Sequence, residues 1–178
     1  YCKLLAEAVK KARGEEVEKV YECALELGFS ASIPKNYIPI ERQRMEAYRK
    51  IAEARDSEAL EQVGEELADM FGPLPGEVRL LIDMAEIRML GSKAGIKSIE
   101  VREPDIIFRF EREVWEPSDS DPQDFKTDKK IGDMFADGPG KVSVPDKGVV
   151  YLRLGSNYFQ RSTLLTILRK ILRKGGDD

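Results

Sequence analysis

The 178-residue chain has no histidine, two cysteines and a single tryptophan. Lacking histidine, it lacks the commonest general base, the usual zinc ligand and every Ser-His or Cys-His nucleophile pair, so any activity would rest on carboxylate, lysine, tyrosine or metal chemistry. Cys2 and Cys23 are too few for a disulfide scaffold and lack the paired spacing of a zinc site. They read as buried or incidental thiols in a reducing cytoplasm. No apolar run approaches the length of a bilayer, and the first residues lack the basic start and apolar middle of a signal peptide. With 33 acidic and 29 basic side chains the net charge is -4. That is not the basic balance of a domain living on nucleic acid, so any such contact is expected to be a local patch. The length fits one domain, and 42% hydrophobic residues suffice for a core. The chain opens at Tyr1 within a helical pattern, which suggests a piece of something longer.

Leu4, Leu5, Ala8, Val9 and Ala12 have helical spacing, and Gly14 stops it. From Cys23 to Ile33 apolar residues alternate with polar or small ones, predicting a long early strand that bends at Gly28 and ends at Pro34. Residues 34–39 read as extended, because a residue before proline is pushed out of the helical region. Three helices follow. The first runs from about Glu41 to Ala54 with Met45, Tyr48 and Ala52 on one face. The second starts near Ser57, which reads as its N-cap with Asp56 beside it, and carries Leu60, Val63, Leu67 and Phe71. The third runs from about Pro75 to Ala94 with Val78, Leu81, Ile82, Ala85 and Met89, and a sheet is expected beneath all three.

Ile99 and Val101, then Ile106, Phe108 and Phe110, alternate around a Glu103-Pro104-Asp105 turn and predict a hairpin. Residues 112–126, rich in Pro, Ser and Asp, read as a surface loop; Trp115 there would cover an edge of the core. A short helix over 127–136 precedes a second hairpin, Val142 and Val144 against Val150, Leu152 and Leu154. A last helix over 162–173 turns Leu164, Leu165, Leu168, Ile171 and Leu172 inward. The fold class is therefore α+β, with a largely antiparallel sheet built from the early strand and two hairpins and packed against a cluster of helices.

Asp69-Met-Phe-Gly-Pro-Leu-Pro-Gly-Glu-Val78 joins two helices. Gly72 suits a left-handed helix end, Pro73 blocks continuation, and Pro75 fits a first helical turn, so the stretch reads as a rigid corner pinned by Phe71 and Leu74. The Gly-Pro-Gly-Lys-Val-Ser run at 138–143 is no phosphate loop. Phe135 stands where the first glycine would be and Val142 where Ser or Thr must follow the lysine.

Charge is segregated. Between residues 53 and 70 seven acids face one cation, Arg55. Glu58, Glu61 and Glu65 share one helical face, and Glu66 and Asp69 another. Such a face is either simply solvated or a docking surface for a basic partner. Arg153, Arg161, Arg169, Lys170, Arg173 and Lys174 bring six cations and no acid to the other end. They read as a solvated helix terminus or as a basic patch for nucleic acid.

Tyr-Ile-Pro at 37–39, Arg44, Tyr48-Arg49, Ile51-Ala52, Glu66-Leu67, Asp69, Phe-Gly-Pro-Leu-Pro at 71–75, Leu81, Ala85, Arg88 and Gly95-Ile96 resemble the C-terminal domain of bacterial transcription-repair coupling factors, the TRCF domain. The resemblance covers residues 1–12 and 30–110 and becomes one of element order beyond Phe110. It implies that residues 1–21 are a helix and linker from a preceding translocase module, and that 22–178 form the domain proper. It implies further a non-catalytic interaction module of an ATP-driven DNA translocase that displaces stalled RNA polymerase and recruits excision repair. ATP and magnesium would be held elsewhere in the parent, and the module would pack on an N-terminal UvrB-like module and hide the surface that binds UvrA. RNA polymerase and double-stranded DNA would be reached only through the parent. The family contact surface carries over to Glu66 and Asp69, with Met70 where some relatives have arginine, and Ile40 where relatives often have an acidic cap. An accessory nucleic-acid-binding domain is the alternative, and a carboxylate-dependent enzyme a third reading.

Overall fold

Ile99, Phe108 and Val150 lie opposite one another on adjacent strands, as do Ile106 and Leu152, and all five side chains are buried. They form the centre of a five-stranded sheet in the computed structural model, which describes residues 22–113, 115–117 and 125–176. The strands are β1 (Ala24–Glu26), β2 (Ile96–Arg102), β3 (Asp105–Phe110), β6 (Lys141–Asp146) and β7 (Val149–Arg153), in the spatial order β1-β2-β3-β7-β6. β1 is parallel to β2, and every other pairing is antiparallel. Two further strands, β4 (Trp115–Pro117) and β5 (Phe125–Thr127), pair antiparallel as a separate hairpin. The helices are α1 (Glu41–Glu53), α2 (Ser57–Phe71), α3 (Gly76–Lys93), α4 (Lys129–Phe135) and α5 (Arg161–Gly176). Among the described residues no helix is long and apolar enough to cross a membrane.

The apolar residues form two cores. One lies between the sheet and helices α3, α4 and α5, where Phe108 meets Phe135 edge-on at 5.2 Å. The other is purely local: Ile33 and Ile38 from the connecting chain, Ala47 and Ile51 from α1, Leu60, Val63 and Leu67 from α2, and Val78 and Ile82 from α3. Helix α3 bridges them, giving Val78 and Ile82 to the second core and Met84, Ile87 and Leu90 to the first. An apolar surface wanted on two sides explains why its sequence shows no narrow stripe.

Several expectations are corrected. The early strand is three residues long, not eleven, because Gly28 takes a φ of +84° and the chain leaves the ladder. Leu27 and Ile33 are buried all the same, so their alternation reflects packing without strand pairing. Residues 34–38 turn rather than extend, the Pro34 carbonyl accepting from the Tyr37 and Ile38 N–H groups. Helix α1 buries Ala47 and Ile51, while Met45 and Ala52 face solvent. Asp56, not Ser57, caps α2 by accepting from the Ala59 N–H at 2.7 Å. Only the third helix touches the sheet core; α1 and α2 lie on the local core instead. Within the 112–126 stretch the β4–β5 hairpin replaces part of the expected loop. The expected helix at 3–12 and the side chain of Trp115 lie outside the described residues.

Cys23 is buried against α3, where a Cβ on Gly91 would stand 2.8 Å from its sulfur. Burial pushes its thiol up to about 12, against a smaller opposing pull from Arg88. It stays a neutral thiol at physiological pH.

Asp128 caps α4, accepting from the Ile131 N–H at 2.9 Å and pairing with Arg112. Partial burial pushes its carboxyl upward, but the Arg112 guanidinium and the Ile131 N–H outweigh that and hold it below the ordinary value. A depressed carboxylate contributes stability above its unfolded pKa, about 3.9, and that contribution is lost as pH falls through the lower folded value. In acid titrations followed by circular dichroism, the parent chain is therefore expected to lose stability below about pH 4 more steeply than an Asp128→Asn variant.

Candidate functional site

Of the signature residues quoted above, those from Tyr37 to Pro75 build one corner, between α1 and α2 and the turn into α3, whereas Arg88 lies late in α3 and Ile96 in the sheet core. Gly72 ends α2 with a φ of +95°, a conformation that costs glycine nothing, and its N–H reaches the Ala68 carbonyl at 3.0 Å. The Tyr37 hydroxyl lies 2.7 Å from the Gly72 carbonyl oxygen and 3.1 Å from that of Leu67, satisfying the helix end, and its ring meets Phe71 edge-on at 5.9 Å. The Arg44 guanidinium donates to the Ile38 and Pro39 carbonyls, and the Tyr48 hydroxyl accepts from the Ile33 N–H at 2.7 Å. Pro75 sits at the cap of α3, one position before the expected first turn, and its carbonyl accepts from Val78 and Arg79. Phe71 and Leu74 pack on the second core, as the corner reading requires.

This corner fixes how α2 is presented. At 3.6 residues per turn, Glu58, Glu61 and Glu65 occupy one side, Asp69 and Glu66 come next, and Met70 borders the buried Leu67. Glu66, Asp69 and Met70 are thus neighbours, and all three are exposed, Met70 at 63%. Glu66 pairs with Lys50 of α1 at 3.3 Å. Glu58, Glu61, Glu65 and Asp69 have no cationic partner among the described residues, so their charge is uncompensated.

A groove of about 480 Å³ runs between α1 and α2, lined by Ile40, Arg42, Gln43, Glu46, Ala47, Lys50, Leu67, Met70 and Phe71. Sequence reasoning found Met70 in it and missed the α1 side. The available signal was that Ile40 and Met70 are both large and apolar among charged neighbours; both are exposed, and both line this groove.

The basic segment presents a different picture from its sequence. Arg169 of α5 lies 3.1 Å from Asp83 and 3.4 Å from Glu86, both on α3; the second approach is ionic rather than an aligned hydrogen bond. Arg173 joins Glu86 at 3.0 Å, Lys174 joins Asp137 at 2.8 Å, and Arg161 lies over the Phe29 ring at 5.2 Å. Arg153 makes a two-toothed contact with Asp105. Burial pushes the Asp83 carboxyl up despite the nearby Arg169 and Arg79. Of the six cations named above only the exposed Lys170 makes no direct contact of this kind among the described residues, and its charge adds to that of Lys174 in holding the Asp137 carboxyl below its ordinary value, so the cations of α5 clasp it to α3 and to the turn after α4 rather than form an uncompensated run. These pairs offset part of the positive charge on which the nucleic-acid alternative rests.

The family model of the TRCF domain matches residues 27–120, more than half of the chain. The transcription-repair-coupling factor of Staphylococcus haemolyticus is 35% identical over 102 residues, covering 56% of this chain and 9% of that protein. Its counterpart in Escherichia coli K12 is 33% identical over 115 residues, covering 62% of this chain and 10% of that protein. The chain thus spans about a tenth of the length of these curated relatives. The crystal structure of the C-terminal domain of a transcription-repair coupling factor superposes with a TM-score of 0.67 at 20% identity, over 89% of this chain and 97% of that one. It shares the fold through the second half of the chain, where sequence similarity fades.

Proposed function

The chain belongs to the TRCF domain family, and on that premise we propose that it is a non-catalytic docking module of a transcription-repair coupling factor, closing on the N-terminal UvrB-like module of the same protein and masking its UvrA-binding surface. The observation that carries this reading is the exposed trio Glu66, Asp69 and Met70 on a corner held by Tyr37 and Arg44, beside an acidic face with no cationic partner among the described residues. Two modules on one chain meet at high effective concentration, so a modest polar interface can hold a closed state and still open when a ligand prefers the open one. Charge complementarity then sets orientation and specificity. ATP, magnesium, double-stranded DNA and RNA polymerase are the business of the other modules, and the whole protein acts in the cytoplasm.

Calorimetric titration of this chain with the separately purified UvrB-like module tests the reading. Binding at low salt that weakens about tenfold or more at 0.5 M salt is expected, because exposed charges are screened over a few ångströms there. Absence of binding at low salt would remove the proposal.

A further inference from the structure

Resting on that docking reading, we infer that the α1–α2 groove receives one bulky apolar side chain from a basic segment of the partner module, so that the interface has an apolar anchor beside its charges. Ile40 and Met70 are 58% and 63% exposed, and they stand at the N-cap of α1 and on α2, over a floor of Ala47, Leu67 and Phe71. Two large exposed apolar residues across one groove keep their unfavourable hydration unless something covers them, and covering one is worth a substantial part of its full burial. A volume of about 480 Å³ accommodates a large side chain together with part of its backbone.

The occupant is identified by what surrounds the groove. The polar groups that line the groove, Arg42, Gln43, Glu46 and Lys50, are all exposed and all stand on α1, so they form one solvated wall rather than a buried set converging on a small molecule. Beyond Met70, Glu66, Asp69 and Glu65 continue outward around α2, and only Glu66 has a cation, Lys50. A segment that places an apolar side chain over Met70 would meet Asp69 and Glu65 about one helical turn away, and lysine or arginine there completes the match. A second copy of this chain would bring the same acids to the same acids and be repelled.

The test is titration of this chain, wild type and variants, with the purified UvrB-like module at low salt and at 0.5 M salt. Because both residues are exposed, their substitution leaves folding intact, which a thermal melt checks. Met70→Ala and Ile40→Ala should each weaken binding about tenfold at both salts, while Met70→Leu restores it. Glu66→Ala with Asp69→Ala should weaken binding mainly at low salt. Met70→Ala and Ile40→Ala that bind as wild type while the double acidic variant is weak would overturn the anchor and leave the docking reading standing. No binding by the wild-type chain would overturn both.

Discussion

Replacing Glu66 and Asp69 together with alanine in a full-length coupling factor carrying this domain is expected to raise UvrA binding by up to about 100-fold. The ceiling follows from the closed state: if it outweighs the open one by about 99 to 1, UvrA sees only about a hundredth of the molecules in a competent form, and its apparent affinity is reduced in proportion. On the docking reading proposed above, removing both carboxylates should weaken the contact that holds the closed state without touching the fold. Both side chains are exposed, neither caps a helix, and the single ion pair lost, Lys50 with Glu66 at 3.3 Å, lies at the surface, where such a pair contributes well under about 1 kcal/mol. The corner itself is held by Tyr37, Arg44, Tyr48 and Gly72, none of which the variant alters. UvrA titration of wild type and double variant, with a melt to show both folded, reads the effect. Unchanged affinity in a folded double variant would withdraw these two residues from the interface.

The largest stability effects are expected from the two cores, and they should be felt in different places. Phe108 is fully buried at the centre of the sheet and packs edge-on against Phe135, so Phe108→Ala should cost about 3–5 kcal/mol. That loss is global, because β3 is the strand to which both β2 and β7 are paired. Ile38→Ala empties a fully buried site of the second core and should cost about 2–5 kcal/mol. Its effect should appear first as local opening of α1 and α2, since these helices share no buried cluster with the sheet. Amide hydrogen exchange distinguishes the two. In Ile38→Ala the α1 and α2 amides should exchange faster while those of β3 and β7 stay slow; in Phe108→Ala all should quicken together. Because the corner presents Glu66 and Asp69, Ile38→Ala should also weaken docking without altering any groove residue.

Both hairpins were legible in the sequence because apolar residues recur at alternate positions on either side of short turns, Ile99, Ile106, Phe108, Val150 and Leu152 being buried, although Ile107 between two of them is buried as well. The corner was legible too, since glycine and proline act through their own backbones. The early strand misled because Leu27 and Ile33 are buried by a chain that runs between the cores; alternation reports burial, not pairing. The parallel pairing of β1 with β2 joins residues more than seventy apart, and nothing local encodes it. The site divided in the same way. Glu66, Asp69 and Met70 could be read from one helix, whereas the groove needs two helices in contact. Likewise Arg169, Arg173 and Lys174 looked free only because Asp83, Glu86 and Asp137 approach them from distant parts of the chain.

Docking and masking are tested most directly by measuring UvrA affinity for a full-length coupling factor carrying this domain and for the same protein lacking residues 22–178. The truncated protein should bind UvrA more tightly, by a factor at least as large as that of the Glu66→Ala, Asp69→Ala variant. Equal affinity of the intact and truncated proteins would contradict the masking role.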